Sequence, residues 1–369
     1  MKKKLWAIFM CAVLALSMAA CGSKDKPAAT HAADTADSGY HFEIIVKSFQ
    51  STYWKAAVKG VEQACEEQGV TAKCNGPANE SDIADQLQML DAAIEKKPDG
   101  IGLAACDAKS VLGSLQKALD AGIPVVCFDT GVVDAPAGSV AATIETDNAT
   151  AGACAAENMY PVIKEVVAAA AVDAKVRIGV VNQDATALNI QQRGIGFIDR
   201  MIELITADGK KVVVEGNEFY VNAATGAVDE AEAEVIIEVA VPAQTTVELS
   251  AAEAQKIMAK DDTIAMFGSN QTTIEGVITA DNILGKLGLD PEKNIIGAGF
   301  DAGTPQKEAL RDDKLIGSVT QSPLMMGYEC VNTLVAACSG KAVEDILMEG
   351  YWYNKDNMEA EDIAPNLYD

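Results

Sequence analysis

Short apolar runs alternate with helically spaced apolar positions along most of the chain. Residues 42–47 read as a strand, after which Trp54, Ala57, Val58, Val61 and Ala64 recur at i, i+3, i+4 and i+7, one face of a helix. A strand over 70–74 follows. Ser81 then stands where it can cap a helix whose buried stripe is Ile83, Leu87, Leu90 and Ile94. Residues 101–104 form a third strand. Val111, Leu115, Ala118 and Leu119 make a third helix closed by Gly122, and 123–128 is uninterruptedly apolar, as a strand buried on both faces must be. Strand–helix alternation of this kind predicts a parallel sheet covered by helices on both faces.

The order repeats further on. Strands are predicted at 176–181, 212–214, 235–241, 263–267, 295–298 and 316–320, and helices over 191–205, 251–258, 272–284 and 305–311. The fold class is therefore α/β, with two doubly wound units of similar size. Residues 206–234 fit neither unit and read as an inserted hairpin or surface loop.

The first 39 residues have a different character. Lys2, Lys3 and Lys4 precede a short uncharged apolar run, which ends in Ser17-Met18-Ala19-Ala20-Cys21. A positive start, a short apolar centre and small residues before a cleavage point are the marks of a secretory signal, too short to span a bilayer. The pentapeptide resembles the lipobox of bacterial lipoproteins, with Met18 where Leu is preferred. That resemblance implies cleavage after residue 20, lipidation of Cys21 and a protein anchored outside the cytoplasmic membrane. Residues 21–39 are small and polar, with Pro27 and no large apolar residue, and read as a flexible linker. Roughly 320 residues remain, enough for two domains with sizeable cores.

Charge and cysteine usage narrow the function classes. Against 54 acidic residues stand 29 basic ones, a net charge of −25, which becomes −28 once the three signal lysines leave. A surface this negative argues against nucleic acid and against adhesion to anionic lipid. Of nine cysteines, Cys11 leaves with the signal and Cys21 would be acylated. Cys65, Cys74, Cys106, Cys127, Cys154, Cys330 and Cys338 remain, an odd number without CxxC spacing, mostly inside apolar runs, and read as buried free thiols. A Cys65–Cys74 bridge stays open. With only His31 and His41, neither a Cys/His metal site nor nucleophile–His catalysis is supported. The turn from first strand to first helix contains no glycine, against a dinucleotide-binding loop. The chain is thus expected to be no enzyme and to need no cofactor or metal.

Eight segments in one order carry a family resemblance. Ser48-Phe49-Gln50-Ser51-Thr52-Tyr53-Trp54, Lys97-Pro98-Asp99-Gly100-Ile101 with Ala121-Gly122-Ile123-Pro124-Val125, Thr146-Asp147-Asn148, Gln192-Arg193-Gly194-Ile195-Gly196-Phe197, Gly268-Ser269-Asn270, Gly299-Phe300-Asp301 and Val319-Thr320-Gln321-Ser322-Pro323 all occur in register. Together they resemble the ribose- and galactose-type (type I) periplasmic sugar-binding proteins over about residues 40–353. The resemblance implies two α/β lobes joined by three crossovers with ligand between them. Mapped onto this chain, lobe one would hold 40–170 and 322–345, lobe two 171–321 and 346–360, with a hinge near Gln321. It also implies a neutral polyhydroxylated ligand, a monosaccharide first, and an ABC transporter permease as partner. A nucleoside, inositol or autoinducer-2-like ligand, or a sensing role through a chemoreceptor or histidine kinase, stays open.

On that mapping the candidate ligand residues are Tyr53, Trp54, Asp129, Asn189, Gln191, Asn270, Asp301 and Gln321. Tyr53 points away from the apolar stripe and toward the cleft, and an aromatic ring offers a sugar's C–H face a surface to stack on. Trp54 lies on the stripe and reads equally as core. Asp129, Asn270 and Asp301 each end an apolar strand, where a carboxylate or amide suits paired hydroxyls; the alternative for Asp301 is capping the helix near Pro305. Gln321 reads as a ligand contact or a hinge bridge. Gln191 stands where the ribose-type pattern carries an arginine, with Asn189 and Asp184 as substitutes in the same loop. Asp147 and Asn148 read as braces of the interlobe connection.

Overall fold

The structure, a computed structural model, describes residues 39–368. The signal and Cys21 lie outside the described residues. The first lobe is built from β1 (His41–Ile45), α1 (Thr52–Gln68), β2 (Thr71–Asn75), α2 (Ile83–Glu95), β3 (Gly100–Leu103), α3 (Leu112–Asp120), β4 (Val125–Phe128) and β5 (Ala142–Thr146). The chain then crosses over. The second lobe contains α4 (Asn148–Ala169), β6 (Val176–Val181), α5 (Leu188–Ala207), β7 (Val212–Gly216), α6 (Glu218–Ala223), β8 (Val235–Ala240), α7 (Val247–Met258), β9 (Thr263–Gly268), α8 (Gln271–Leu284), β10 (Ile296–Phe300), α9 (Thr304–Arg311) and β11 (Leu315–Thr320). Helix α10 (Pro323–Cys338) and β12 (Ile346–Met348) return to lobe one, and β13 (Tyr351–Tyr353) ends in lobe two.

Lobe one's sheet runs β12-β5-β4-β3-β1-β2, all parallel; lobe two's runs β13-β11-β10-β9-β6-β8-β7, parallel except for β13 against β11. The fully buried runs of β3 and β4 are what two helical layers require.

The lobe boundaries expected from sequence are corrected at two crossovers. Helix α4 belongs to lobe two: Ala155, Met159 and Ile163 are buried against Ile178, Phe197 and Phe267, so the first crossing falls at Asp147, not near 170. Its alanine-rich sequence has too little contrast between faces for periodicity to reveal it. Residues 346–348 pair with β5, which moves the last crossing to residues 349–350. The remaining crossing runs through residues 321–322, between β11 and α10.

The 206–234 segment is no hairpin. It supplies β7, parallel to β8, and the short helix α6, whose Tyr220 is fully buried. Ser81 does not cap α2. Asp82 holds the N-cap position, and the Ser81 hydroxyl accepts the Thr245 amide of the other lobe at 2.8 Å.

In each lobe the helix pair at the crossover packs with backbones almost touching. A Cβ at Gly327 of α10 would sit 2.0 Å from the Ala57 carbonyl oxygen of α1, and one at Gly196 of α5 would sit 2.2 Å from that of Ala149 in α4. Gly196 is therefore a packing residue inside a helix.

Candidate ligand site between the lobes

The C-terminal ends of the parallel strands in both lobes face one another across a narrow polar cavity, the position where open α/β sheets place ligands. Two aspartates occupy equivalent places. Asp129 follows β4 and Asp301 follows β10, with φ of 64° and 70°, in the left-handed region that Asp tolerates better than most residues. Each amide donates to the neighbouring strand, Asp129 to the Ile144 carbonyl at 2.8 Å and Asp301 to the Val319 carbonyl at 2.7 Å. That turn lifts each carboxylate off its sheet and into the cleft.

Asp129 is the centre of a dense polar cluster. Its carboxylate accepts from the Tyr53 hydroxyl, from Thr130 Oγ1 at 2.8 Å and from Asn189 Nδ2 at 3.0 Å, and pairs with Lys47 Nζ at 3.0 Å. Lys47 also donates to Asn189 Oδ1 at 3.1 Å. Asn189 comes from lobe two, so these bonds hold the lobes together directly. Burial alone would raise the Asp129 carboxyl, but the charge of Lys47 and the hydroxyl bonds outweigh it and hold it below its ordinary value. Burial disfavours charge on Lys47 too, yet Asp129 and then Glu80 hold its ammonium above its usual range.

Trp54 occupies both of its alternatives at once. Its ring is buried edge-on to Tyr53 and Phe128, while Nε1 donates to Glu80 Oε1 at 2.9 Å on the cavity wall. Glu80 accepts in turn from Gln183 Nε2 of lobe two at 3.1 Å. Burial, only partly opposed by Lys47 and Trp54, pushes the Glu80 carboxyl up to about 7.

The Asp301 wall is arranged differently. The carboxylate accepts the Gln271 amide at 2.9 Å and Gln321 Nε2 at 2.5 Å. It therefore caps α8, not the helix near Pro305, whose N-cap position is Gly303. Arg193 lies 4.0 Å away and directs its donors elsewhere: to the Ser269 carbonyl at 2.9 Å and Asn148 Oδ1 at 2.8 Å, with its plane 3.6 Å over the Phe300 ring. Burial consequently dominates, and the Asp301 carboxyl is raised despite Arg193 and Gln321.

Seven of the eight residues expected from sequence line this cavity: Tyr53, Trp54, Asp129, Asn189, Asn270, Asp301 and Gln321. Asn270 also caps α8 and bonds Gln183, and Gln321 bridges Asp301 to Thr146 of lobe one, 2.8 Å away. Gln191 does not join them. One helical position from the inward face, it donates to the Ala185 carbonyl at 2.7 Å and lines a separate groove with Val133 and Asp134. Asp184 caps its own turn through the Thr186 and Ala187 amides, both at 2.8 Å. Tyr220, from the segment sequence left unassigned, anchors that turn by donating to the Asp184 carbonyl at 2.6 Å. Asn148 accepts from Arg193 and donates to the Thr146 carbonyl at the crossover, as a brace does.

Sequence reasoning missed Lys47, Glu80, Gln183, Arg193 and Gln271. Lys47 stands two residues past the end of β1, close enough to the strand end for the same rule to have found it. Arg193 lay inside a family-like run. Glu80 sits in a loop and carries no local signal.

The seven cysteines within 39–368 are free thiols, with Cys106, Cys127 and Cys330 buried. Among the described residues no group of three or more His, Cys, Asp or Glu is placed to hold a metal ion, and no helix is long and apolar enough to cross a membrane.

Residues 42–342 match the family described as "Periplasmic binding protein domain". No curated protein matches the sequence. Among solved structures, the chain is similar to an "ABC transporter, LacI family transcriptional regulator" from Brachyspira murdochii, at 28% identity and TM-score 0.72, covering 90% of this chain and 100% of that one. An ABC transporter solute-binding protein from Agrobacterium vitis with bound D-fucose is 26% identical at TM-score 0.73, over 89% and 100% of the two chains. Another from the same organism, bound to α-D-tagatopyranose, shares the fold at 22% identity and TM-score 0.73, over 89% and 99%. With a family match across most of its length and two parallel-sheet lobes closing on a shared cleft, this chain belongs to the periplasmic binding protein family and has its type I architecture.

Proposed function

We propose that this protein captures a monosaccharide between its two lobes and delivers it to an ABC transporter permease, without altering it chemically. The observation that carries the reading is the convergence of strand-end polar groups from both lobes beside the aromatic pair Tyr53 and Trp54. Asp129 and Asp301 each offer two acceptor oxygens, while Lys47, Asn189 and Asn270 offer donors, a mixed set suited to hydroxyls, which are both. A buried hydroxyl left without a partner costs roughly 1–3 kcal/mol, so a cleft of this kind discriminates epimers. The D-fucose-bound relative supports the ligand class.

Lobe closure supplies the signal to the permease, because bonds such as Asn189 to Asp129 form only when the walls meet. The lipobox-like sequence supports an anchor at Cys21 outside the cytoplasmic membrane. The roles of Asp129, Asp301, Asn189, Asn270, Gln321, Tyr53 and Trp54 as ligand contacts are part of this proposal.

Calorimetric titration of the mature protein against D-fucose, D-tagatose, D-arabinose, D-glucose, D-galactose and D-ribose tests it. Saturable one-to-one binding of at least one sugar is expected. Heat traces indistinguishable from buffer across that panel would overturn the sugar reading.

A further inference from the structure

The segment after β13 lies beyond the residues that match the family, 42–342, and it runs back across the hinge into the wall of the cleft. It leaves β13 through a turn in which Asn354 Oδ1 accepts the amides of Asp356 and Asn357. It packs Met358 and Ile363 into the core. At Asn366 it is pinned on both sides of the Gln321 crossover: Thr320 Oγ1 donates to the Asn366 carbonyl at 2.7 Å, and Ser322 Oγ to Asn366 Oδ1 at 2.5 Å. Two residues later the buried Tyr368 touches both lobes. Its hydroxyl accepts the Ala302 amide at 3.1 Å, the residue next to Asp301, and its ring lies edge-on to Tyr53, with centroids 5.8 Å apart.

We propose that Tyr368 is a positioning residue for the ligand site, and that residues 354–368 form a strap that ties the closing of the hinge to the placement of Tyr53 and Asp301. Tyr53 packs edge-on to two rings, Trp54 at 4.9 Å and Tyr368 at 5.8 Å. The turn that carries Asp301 in its left-handed conformation is held by the Tyr368 hydroxyl on the adjoining amide. One side chain thus spans a lobe-one aromatic and a lobe-two carboxylate turn, on a segment clipped to the crossover between them. When the lobes part, the Tyr53–Tyr368 contact must break or the strap must move, so the contact favours the closed form. A ligand that selects the closed form then binds more tightly by that population shift. This inference rests on the ligand-capture reading for its affinity readout only.

The test uses Tyr368→Ala, Tyr368→Phe and Asn366→Ala in the mature protein, with two readouts. X-ray scattering without sugar reports the open–closed distribution. Calorimetry with D-fucose and D-tagatose, at a temperature where every variant is folded, reports affinity. Tyr368→Ala is expected to shift unliganded scattering toward the open form and weaken binding about tenfold, since a lost preference for one state appears directly in apparent affinity. Tyr368→Phe keeps the ring against Tyr53 and should restore affinity to within about threefold of wild type. Asn366→Ala removes the Ser322 bond but keeps the Thr320 bond to the backbone carbonyl, so it loosens the strap and should move both readouts in the same direction as Tyr368→Ala by a smaller amount. A purely structural role predicts lower thermal stability with unchanged scattering and unchanged affinity, and that result overturns the proposal. So does an Asn366→Ala protein identical to wild type, which keeps the test decisive if Tyr368→Ala fails to fold. If no sugar binds wild type, the capture reading falls, and scattering alone still decides the strap.

Discussion

The two walls of the cleft use the same backbone device and surround it with opposite electrostatics. On each, a central strand ends on an aspartate in the left-handed region, its amide tied to the neighbouring strand. On the lobe-one wall the partner cation is in contact: Lys47 at 3.0 Å, with Asn189 bonded to both. On the lobe-two wall it is not, because Arg193 is 4.0 Å away, stacked on Phe300 and bonded to Ser269 and Asn148. The carboxyls shift in opposite senses accordingly, Asp129 down and Asp301 up. Burial is common to both, so the difference comes from where the cation directs its donors. Lys47 is committed to a carboxylate, whereas Arg193 is committed to the frame of its own lobe and to the crossover.

The largest effect should come from breaking the contacting pair. Asp129→Asn leaves the Lys47 ammonium buried without its carboxylate and should cost about 3 kcal/mol or more. Asp301→Asn keeps an acceptor for Gln271 and should cost about 1–2 kcal/mol. Urea unfolding of the two variants compares them, and equal losses would erase the distinction between the walls.

A smaller effect is expected from the side chain that joins the walls. Asn189→Ala removes the bond from lobe two to Asp129 and the acceptor of Lys47. It should weaken binding of the tightest sugar in the panel about tenfold, a loss of about 1.4 kcal/mol. Calorimetry measures this, and unaltered affinity would mean that closure does not depend on that bridge.

Next comes pH. Glu80 faces Lys47, Trp54 and Gln183, with the negative charges of Asp129 and Asp184 nearby. Its folded-state value, about 7, exceeds the ordinary 4.5, so folding takes up a proton between those values. Stability should therefore fall as pH rises from 5 to 8. Glu80→Gln should flatten that part of the profile in thermal melts. A wild-type slope retained by the variant would assign it to another group.

The smallest effect should be that of Gln191→Ala. The side chain lies outside the cavity on its own turn, so sugar affinity should stay within about twofold of wild type. A larger loss would return this position to the ligand site.

Much of the fold was legible because its signals are local. Strand β6 begins and ends where its apolar run does, and α8 and β11 differ from the expected spans by a residue at one end. Helix α4 escaped notice because alanine faces look alike, and β12 because three residues form too short a pattern. In the site, Asp129 and Asp301 were legible because each directly follows a buried apolar strand, and Asn270 because it comes just after one. Gln191 was misplaced because the neighbouring positions of one helical turn face different ways, and sequence spacing alone does not say which of them meets the cleft.

Sequence by itself determined two doubly wound α/β units and most of the strands and helices that build them. These depend on periodicities that each segment carries within itself. Only the tertiary structure decided which lobe owns α4, that Glu80 and Gln183 meet across the cleft, that Lys47 pairs with Asp129 while Arg193 turns to Asn148, and that Tyr368 reaches Tyr53. Those relations join residues far apart in the chain. They are set by how two packed lobes and a returning segment share one interface, and no local pattern encodes that.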